Sequence, residues 1–202
     1  MKTELEKCMD GEWYNCHDTV FVEYKTNARG VLSQYNSLPY KDKTIKYNLL
    51  KELFGSMGSN VSVGNPFICD YGHNIHIGNN VSINMNCTFV DCNTITIENN
   101  ILIVSNVQIY TATHPIELTD RLTPDWKPED AQYFCRTYAL PVSIEDGCWI
   151  GGGVIIVPGV TIGKGSVIGA GSVVTKNIPA NSLAVGNPCR VIRKLNGEQN
   201  ND

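Results

Sequence analysis

The sequence predicts an all-β fold, a parallel β-helix carrying an N-terminal helical cap and one long excursion loop. Three observations support this: an aliphatic residue recurs at every sixth position, turn-forming residues stand between the repeats, and a single long segment interrupts the pattern. At 202 residues the chain corresponds to roughly one domain of ~150 residues with a small appendage. Hydrophobic residues make up 42% of the chain, which is enough to bury a sizeable core.

The six-residue repeat is clearest after residue 140. It places Ile144, Ile150, Ile156, Ile162, Ile168 and Val174 in one unbroken frame. An earlier series keeps the same step and inserts two residues after every third position; it consists of Val63, Cys69, Ile77, Ile83, Phe89, Ile97, Ile103 and Ile109. A fixed internal period of this kind is the signature of a solenoid. We therefore predict three short strands per coil and five or so stacked coils, a prism on the order of 25 Å long.

Corners between the strands are predicted where small and turn-forming residues cluster. These clusters are Gly78-Asn79-Asn80, Glu98-Asn99-Asn100, Glu145-Asp146-Gly147 and Gly163-Lys164-Gly165. A tight corner requires positive φ, which is cheapest for Gly and tolerable for Asn. Turn chemistry therefore agrees with the period of the apolar residues.

Two segments break the repeat. Residues 1–58 are predicted to form a helical cap. Within it, Asp42 caps a helix that ends before Gly55. The apolar stripe of this helix consists of Ile45, Leu49, Leu50, Leu53 and Phe54. The β-helix then occupies 59–195, and 196–202 form a C-terminal tail. Between Ile109 and Ile144 the step lengthens from six residues to 35, which predicts an excursion over about 111–140. A long loop leaving a regular scaffold is usually functional.

Composition excludes several classes of protein. A formal charge of -4 gives no basic field for nucleic acid. The first 18 residues contain seven charged side chains, so no secretory signal is expected, and the longest apolar run is broken by glycines and Pro158, so no membrane span is expected. Eight cysteines without a CxxC pair favour reduced thiols in the cytoplasm.

His114 is the residue best placed for chemistry. Histidine is the side chain most easily used as a base near neutral pH. Three other histidines exist, at 17, 73 and 76, but His114 alone stands where the regular coil departs into the excursion. The sequence therefore predicts a catalytic His114 on the edge of a rigid support.

Several motifs resemble those of the hexapeptide-repeat acyltransferases, and within them the sugar O-acetyltransferases typified by maltose and galactoside acetyltransferases. The residues that carry this resemblance are Gly11-Glu12-Trp13-Tyr14, Leu53-Phe54-Gly55, Cys69-Asp70-Tyr71-Gly72, Tyr110 to Ile116, Trp149-Ile150-Gly151-Gly152, Pro158 to Gly163, Val174-Thr175-Lys176 and Gly186-Asn187-Pro188. The match spans nearly the whole chain. The stretch from Tyr110 to Ile116, combined with the helical cap, makes it specific.

The resemblance implies a left-handed β-helix, a homotrimer with each active site between two subunits, and acetyl transfer from acetyl-CoA to a sugar hydroxyl without a metal. His114 would act as the general base, and backbone N–H groups near Gly151 and Gly152 would hold the developing oxyanion. For the acceptor it points to Asp18, Asp70, Asn84 and Tyr138. For coenzyme A it points to Trp149, Gly152, Ala170, Thr175, Lys176, Arg190 and Arg193.

Two departures leave the acceptor open. Cys92 stands where galactoside acetyltransferases have a second acidic residue, and Ser82 stands where they have an aromatic one. An antibiotic or a serine remains an alternative acceptor for the hydroxyl chemistry. A metal-dependent carbonic anhydrase on the same kind of β-helix would use His73 and His76, although positions three apart on a strand face opposite sides. A non-catalytic sugar-binding or scaffolding β-helix is the remaining alternative.

Overall fold

The computed structural model describes residues 2–195 and shows a parallel β-helix of about six turns behind an N-terminal helical region. The fold class predicted from the repeat is therefore confirmed, with one coil more than expected. The tail predicted at 196–202 lies outside the described residues. No helix within residues 2–195 is long and apolar enough to cross a membrane.

Three parallel sheets form the sides of the prism. The first contains β1 (Ser56–Met57), β4 (Ile75–Ile77), β7 (Ile95–Ile97), β12 (Val142–Ile144) and β15 (Thr161–Ile162). The second contains β2 (Val61–Val63), β5 (Val81–Ile83), β8 (Ile101–Ile103), β13 (Trp149–Ile150), β16 (Val167–Ile168), β18 (Ser182–Val185) and the antiparallel β19 (Arg190–Lys194). The third contains β3 (Phe67–Cys69), β6 (Cys87–Val90), β9 (Gln108–Tyr110), β14 (Ile155–Ile156) and β17 (Val173–Val174).

The main core lies inside the prism and includes the repeat positions. Of the fourteen residues in the two predicted series, thirteen are buried and Val63 is half-buried. Strand register stacks them directly, since Ile97 pairs with both Ile77 and Ile144. Burying such a side chain contributes about 1.5–3 kcal/mol, so the stacked repeat positions are a large source of stability.

The three edges of the prism differ in composition. We name the edge between the first and second sheets the asparagine edge; it comprises 58–60, 78–80, 98–100, 145–147 and 163–165. The glycine edge, between the second and third sheets, comprises 84–86, 104–106, 151–153 and 169–171. The excursion edge, between the third and first sheets, comprises 70–74, 91–94, 111–141, 157–159 and 175–177.

The predicted corner conformations are confirmed on the asparagine edge. Asn80 and Asn100 have φ of 58° and 59°, and Gly147 and Gly165 have φ of 72° and 66°. Side chains also stack from coil to coil, because the Asn80 amide donates to Asn100 Oδ1 at 2.9 Å. The same corner geometry therefore repeats along the whole edge.

The helical region packs on the N-terminal coils. It contains α1 (Glu4–Met9), α2 (Thr19–Ser37) and α3 (Lys43–Leu53). Asp42 does occupy the N-cap position of α3, but its side chain makes no capping hydrogen bond, and Ile45 of the predicted stripe is half exposed to solvent. Leu50 and Leu53 are buried as predicted, and Lys46 takes the third buried position by donating to Asn65 Oδ1. A lysine thus replaces the expected isoleucine on the packed face.

The excursion has secondary structure of its own. β10 (Ala112–Thr113) leaves the coil and pairs antiparallel with β11 (Tyr138–Ala139) on the return, with α4 (Leu118–Arg121) between them. This ribbon brings the far end of the excursion back against His114.

Candidate active site

The excursion edge concentrates the buried polar groups of the molecule. Nine polar or charged residues are buried within residues 2–195, and five of them lie on this edge or at the base of the excursion: Asn74, Asp91, Asn93, Thr111 and Thr137. A buried polar group is costly unless it is hydrogen-bonded, so such a cluster indicates an edge built for more than packing.

His114 is exposed and its ring is held through one nitrogen. Nδ1 lies 2.8 Å from the carbonyl oxygen of Arg136, and the hydroxyl of Thr137 is 3.5 Å away. Since a carbonyl only accepts, Nδ1 carries the proton and donates it. The neutral ring therefore has its lone pair on Nε2, the nitrogen required to accept a proton.

The segment that holds His114 is itself anchored by the N-terminal residues. The Arg136 guanidinium lies over the Trp13 ring, 4.4 Å from its centroid. The Tyr14 backbone N–H donates to the Thr137 carbonyl at 3.1 Å. The Gly11 to Tyr14 motif thus fixes the segment whose carbonyl orients the imidazole. The sequence identifies this motif but not Arg136, because the Arg136 group that contacts His114 is its backbone carbonyl, which every residue carries.

Asn93 ties the same edge to both flanking segments. Its amide donates to the carbonyls of Cys8 in α1 and Ala139 in β11, each at 3.0 Å. The Asn93 backbone N–H is bonded in turn to the Thr111 hydroxyl at 2.9 Å. One buried side chain therefore joins the cap, the coil and the excursion.

The predicted acceptor residues fall into two groups. Asp70, at the excursion edge, and Tyr138, which pairs with Thr113 across the β10–β11 ribbon, lie on the side of His114. Asp18 caps α2 by accepting the Val20 N–H at 3.1 Å, so it already has a structural function. Asn84 lies instead on the glycine edge, where its side chain accepts the Met85 N–H at 2.7 Å.

The predicted coenzyme residues are also divided between edges. Trp149 in β13 is 52% exposed, and Gly152 and Ala170 lie on the glycine edge. Thr175 and Lys176 are exposed on the excursion edge, while Arg190 and Arg193 are exposed in β19. One side of the prism, about six residues or roughly 15–20 Å, separates the two edges. Within one copy of the chain, His114 and Gly152 are therefore not brought together.

The two glycines proposed for the oxyanion differ. The Gly151 N–H donates to the Ile168 carbonyl at 2.8 Å within the strand ladder, so the expectation that it holds an oxyanion is wrong. In the part of the chain that the structure describes, the Gly152 N–H has no hydrogen-bond partner. Of the pair, Gly152 alone has a donor to offer.

Two cavities flank these edges. One of about 380 Å³ lies behind the excursion and is lined by Trp13, Tyr14, Tyr133 and Arg136 among others. The other, of about 520 Å³, lies between the helices and the first coils and includes Asn84 and Met85. His114 lines neither cavity, and its side chain is exposed in the single chain.

The remaining histidines are placed apart. His76 in β4 bonds to the Ser56 hydroxyl at 3.0 Å, and His73 packs against Tyr24 with ring centroids 4.1 Å apart. Burial lowers the pKa of His73. Within residues 2–195 no group of three or more His, Cys, Asp or Glu side chains is arranged to hold a metal ion. The carbonic anhydrase alternative therefore finds no converging ligand set there.

Comparisons with known proteins agree with this architecture. Residues 141–176 match the family model for the bacterial transferase hexapeptide (six repeats), and residues 7–58 match the maltose acetyltransferase hexapeptide capping motif. The two matches cover the helical region and the C-terminal coils and indicate a capped hexapeptide-repeat transferase.

Solved structures extend the match to nearly the whole chain. A maltose O-acetyltransferase from Clostridium difficile 630 is 42% identical with a TM-score of 0.89, covering 98% of this chain and 99% of that one. A galactoside acetyltransferase in complex with coenzyme A is 37% identical with a TM-score of 0.88, covering 97% and 92%. An acetyltransferase from Vibrio cholerae complexed with acetyl coenzyme A is 36% identical with a TM-score of 0.83, covering 96% and 99%. The chain belongs to the maltose and galactoside acetyltransferase family, as the sequence motifs predict.

Proposed function

We propose that this acetyltransferase moves the acetyl group of acetyl-CoA to a hydroxyl of a sugar of the maltose, glucose or galactoside kind, with His114 as general base. The observation that carries the proposal is the His114 ring, which donates from Nδ1 to the Arg136 carbonyl and leaves Nε2 open. The coenzyme complexes of two structural relatives support the donor. The maltose and galactoside relatives support a sugar acceptor.

The donor set of the C-terminal coils fits coenzyme A. Lys176, Arg190 and Arg193 are exposed cations suited to the phosphates of the coenzyme. The exposed Trp149 ring is suited to pack against its pantetheine arm. When bound, acetyl-CoA supplies the acetyl thioester. The Gly152 N–H is the donor proposed to hold the carbonyl oxygen as charge develops on it.

His114 performs the proton transfers in this scheme. A sugar hydroxyl has a pKa far above 7, so its attack on a thioester needs a base that removes the proton as the C–O bond forms. Nε2 accepts that proton, and the Arg136 carbonyl stabilises the resulting imidazolium through Nδ1–H. As the C–S bond breaks, His114 returns the same proton to the departing sulfur, so the ring ends the cycle neutral.

The acceptor side of the site is assigned to Asp70, Asp18, Tyr138 and Asn84. Carboxylate and amide groups suit a polyol because they form paired hydrogen bonds with neighbouring hydroxyls. Tyr138 lies in the strand that returns to His114 and would cover a ring face.

The first test is a thiol-release assay with acetyl-CoA and a panel of maltose, glucose, galactosides, serine and chloramphenicol. Sugars should be acetylated best. His114→Ala should lower turnover by about 10² to 10⁴, the usual contribution of a general base, with little change in the KM for acetyl-CoA. His76→Ala, a histidine on the outer face of β4, is the matched control and should retain activity. Full activity of His114→Ala would refute the mechanism.

We further propose a homotrimer whose active site lies between two subunits. The support is the division of candidate residues: His114 and Asp70 lie on the excursion edge, and Gly152 and Asn84 lie on the glycine edge, one side of the prism away. Reacting groups must come within about 3 Å of each other. A ring in which the excursion edge of each copy faces the glycine edge of the next would meet that requirement and close with three-fold symmetry.

Subunit complementation tests this arrangement. His114→Ala removes the base from every site, and Gly152→Val places a β-branched side chain beside the donor N–H of every site, so each variant should be strongly impaired alone. Co-expression should recover activity in mixed trimers, in which some interfaces combine the intact halves of both variants. Activity of the mixture no higher than that of the separate variants, or a monomeric mass by light scattering, would contradict the shared site.

A further inference from the structure

The segment Asp70-Tyr71-Gly72 is held from one coil above by the side chain of Asp91. Asp91 Oδ1 accepts the backbone N–H of Asp70 at 3.0 Å and that of Tyr71 at 2.9 Å. The Asp91 side chain is fully buried, and its backbone carbonyl accepts the Asn74 amide at 2.8 Å. Both ends of the turn that carries Asp70 are thus fastened to the Asp91 residue.

The neighbouring residue reaches the Asp70 carboxylate itself. The Cys92 thiol is buried and lies 3.6 Å from Asp70 Oδ2, within the range for a sulfur donor. Burial raises the pKa of Cys92 to about 12, so the thiol keeps its proton and donates. Asp91 and Cys92 together restrain the backbone and the carboxylate of Asp70.

A buried carboxylate at position 91 is energetically unfavourable if its only role is to hold the turn. Its second carboxylate oxygen, Oδ2, has no hydrogen-bond partner in residues 2–195. An Asn, Ser or Thr would accept the same two N–H groups without burying a charge, and burying a carboxylate oxygen without a partner is unfavourable. A charged acceptor does make stronger hydrogen bonds to backbone N–H groups than a neutral one.

We infer that Asp91 is a positioning residue for acceptor binding: it fixes the Asp70 turn so that the Asp70 carboxylate meets the sugar hydroxyls in one orientation. This rests on the proposed function, in which Asp70 binds the acceptor. Precise placement matters because a displacement of 1 Å in a site can cost about 10²-fold in rate. Asp91 itself touches neither substrate nor coenzyme in this scheme.

A structural comparison supplies the control. Asp146 makes a comparable contact on the asparagine edge, where its Oδ1 accepts the Asn99 backbone N–H at 2.8 Å and the Asn99 side-chain amide at 2.9 Å from one coil away. Asp146 is only partly buried and lies on the edge that carries no candidate site residue. Its removal tests what the loss of two coil-to-coil hydrogen bonds does when no acceptor residue depends on them.

The experiment measures steady-state kinetics with the sugar that the wild-type protein acetylates best. Asp91→Ala should raise the KM for that sugar at least tenfold and leave the KM for acetyl-CoA within twofold. Asp91→Asn keeps an acceptor oxygen without the charge and should recover only part of the loss. Asp146→Ala should leave both constants unchanged. In an Asp70→Ala background, Asp91→Ala should have little further effect, because the two residues act through the same contact.

Amide NMR gives a readout independent of turnover. Burial raises the pKa of Asp91 from its ordinary 3.8 to about 6. The groups that face it are the Asp70 carboxylate, the Cys69 and Cys92 thiols and the Tyr71 phenol. Burial raises the pKa values of the two thiols and the phenol away from this range. The amide resonances of Asp70 and Tyr71 should therefore titrate near pH 6 in the wild type and lose that titration in Asp91→Asn.

The outcomes separate the two proposals. Normal sugar KM in Asp91→Ala, additive effects with Asp70→Ala, or equal losses in Asp91→Ala and Asp146→Ala would each overturn the positioning role alone. A wild-type protein that acetylates no sugar in the panel would overturn the proposed function and the inference with it, even if the amide titration is present.

Discussion

The asparagine edge and the excursion edge lie on the same coils, but the first leaves its carboxylate near solvent and the second buries it. On the asparagine edge the Asp146 carboxylate is near solvent, and the Asn99 backbone hydrogen bond lowers its pKa. On the excursion edge Asp91 makes equivalent bonds while fully buried, and burial raises its pKa. On the solvent-exposed edge the same corner structure repeats from coil to coil. On the buried edge each polar residue makes hydrogen bonds that are not repeated in the next coil.

The pH dependence of stability follows the same contrast. The folded pKa of Asp91 lies above its unfolded value, so the folded state binds the extra proton between about pH 4 and pH 6. The stability that this proton contributes is complete below the unfolded pKa and is lost as the pH rises through about 6. Asp146 has the opposite sign, since a lowered pKa contributes stability that is lost on acidification.

The largest difference in the stability cost of a substitution on the two edges is expected at their glycines. Gly72 has φ of 80°, and an added Cβ would lie 2.5 Å from two carbons of the buried Leu53 side chain and 3.0 Å from the Leu53 carbonyl oxygen. Gly147 has φ of 72°, but the nearest atom would be 3.9 Å away. Both substitutions to alanine force a residue with a Cβ into positive φ, which lowers stability by about 1 kcal/mol. Only Gly72→Ala also overpacks the side chain of Leu53 in α3.

Urea unfolding at one fixed protein concentration measures this difference. We expect Gly72→Ala to lose about 3–5 kcal/mol and Gly147→Ala about 1 kcal/mol. Equal losses at the two positions would mean that backbone conformation alone sets the cost, and that the cap does not press on the excursion edge as the structure describes.

The same contrast explains how far the sequence predicted the structure. Ile97 and Ile144 were predictable as core because their spacing alone identifies them, even across the excursion. Asn80 and Asn100 were predictable as corners because Asn tolerates positive φ. These features depend on local chemistry and on a period that repeats many times.

Asp91 and Arg136 were not predictable in that way. Asp91 lies between repeat positions, and its importance comes from a bond to residues 20 and 21 positions earlier, which exists only once the coils are stacked in register. The period of about twenty residues could have indicated it, because it places Asp91 directly over Asp70 and Tyr71. His114 was found from its position at the departure of the excursion, whereas the carbonyl of Arg136 that orients it depends on how the excursion folds back.

The smallest effect is expected at Asn100, where the asparagine edge should accept substitution readily. Gly would relieve the strain of φ at 59° while losing the side-chain bond from Asn80 at 2.9 Å, so the two changes nearly cancel. Urea unfolding of Asn100→Gly should therefore lie within about 0.5 kcal/mol of the wild type. Asn100→Val is the matched control and should cost about 2 kcal/mol, since a β-branched residue strongly resists positive φ. Gly at the corresponding corners of later coils, Gly147 and Gly165, already has this conformation. A large loss in Asn100→Gly would show that the stacked amides stabilise this edge well beyond their conformation, and the two edges would then differ less than their burial indicates.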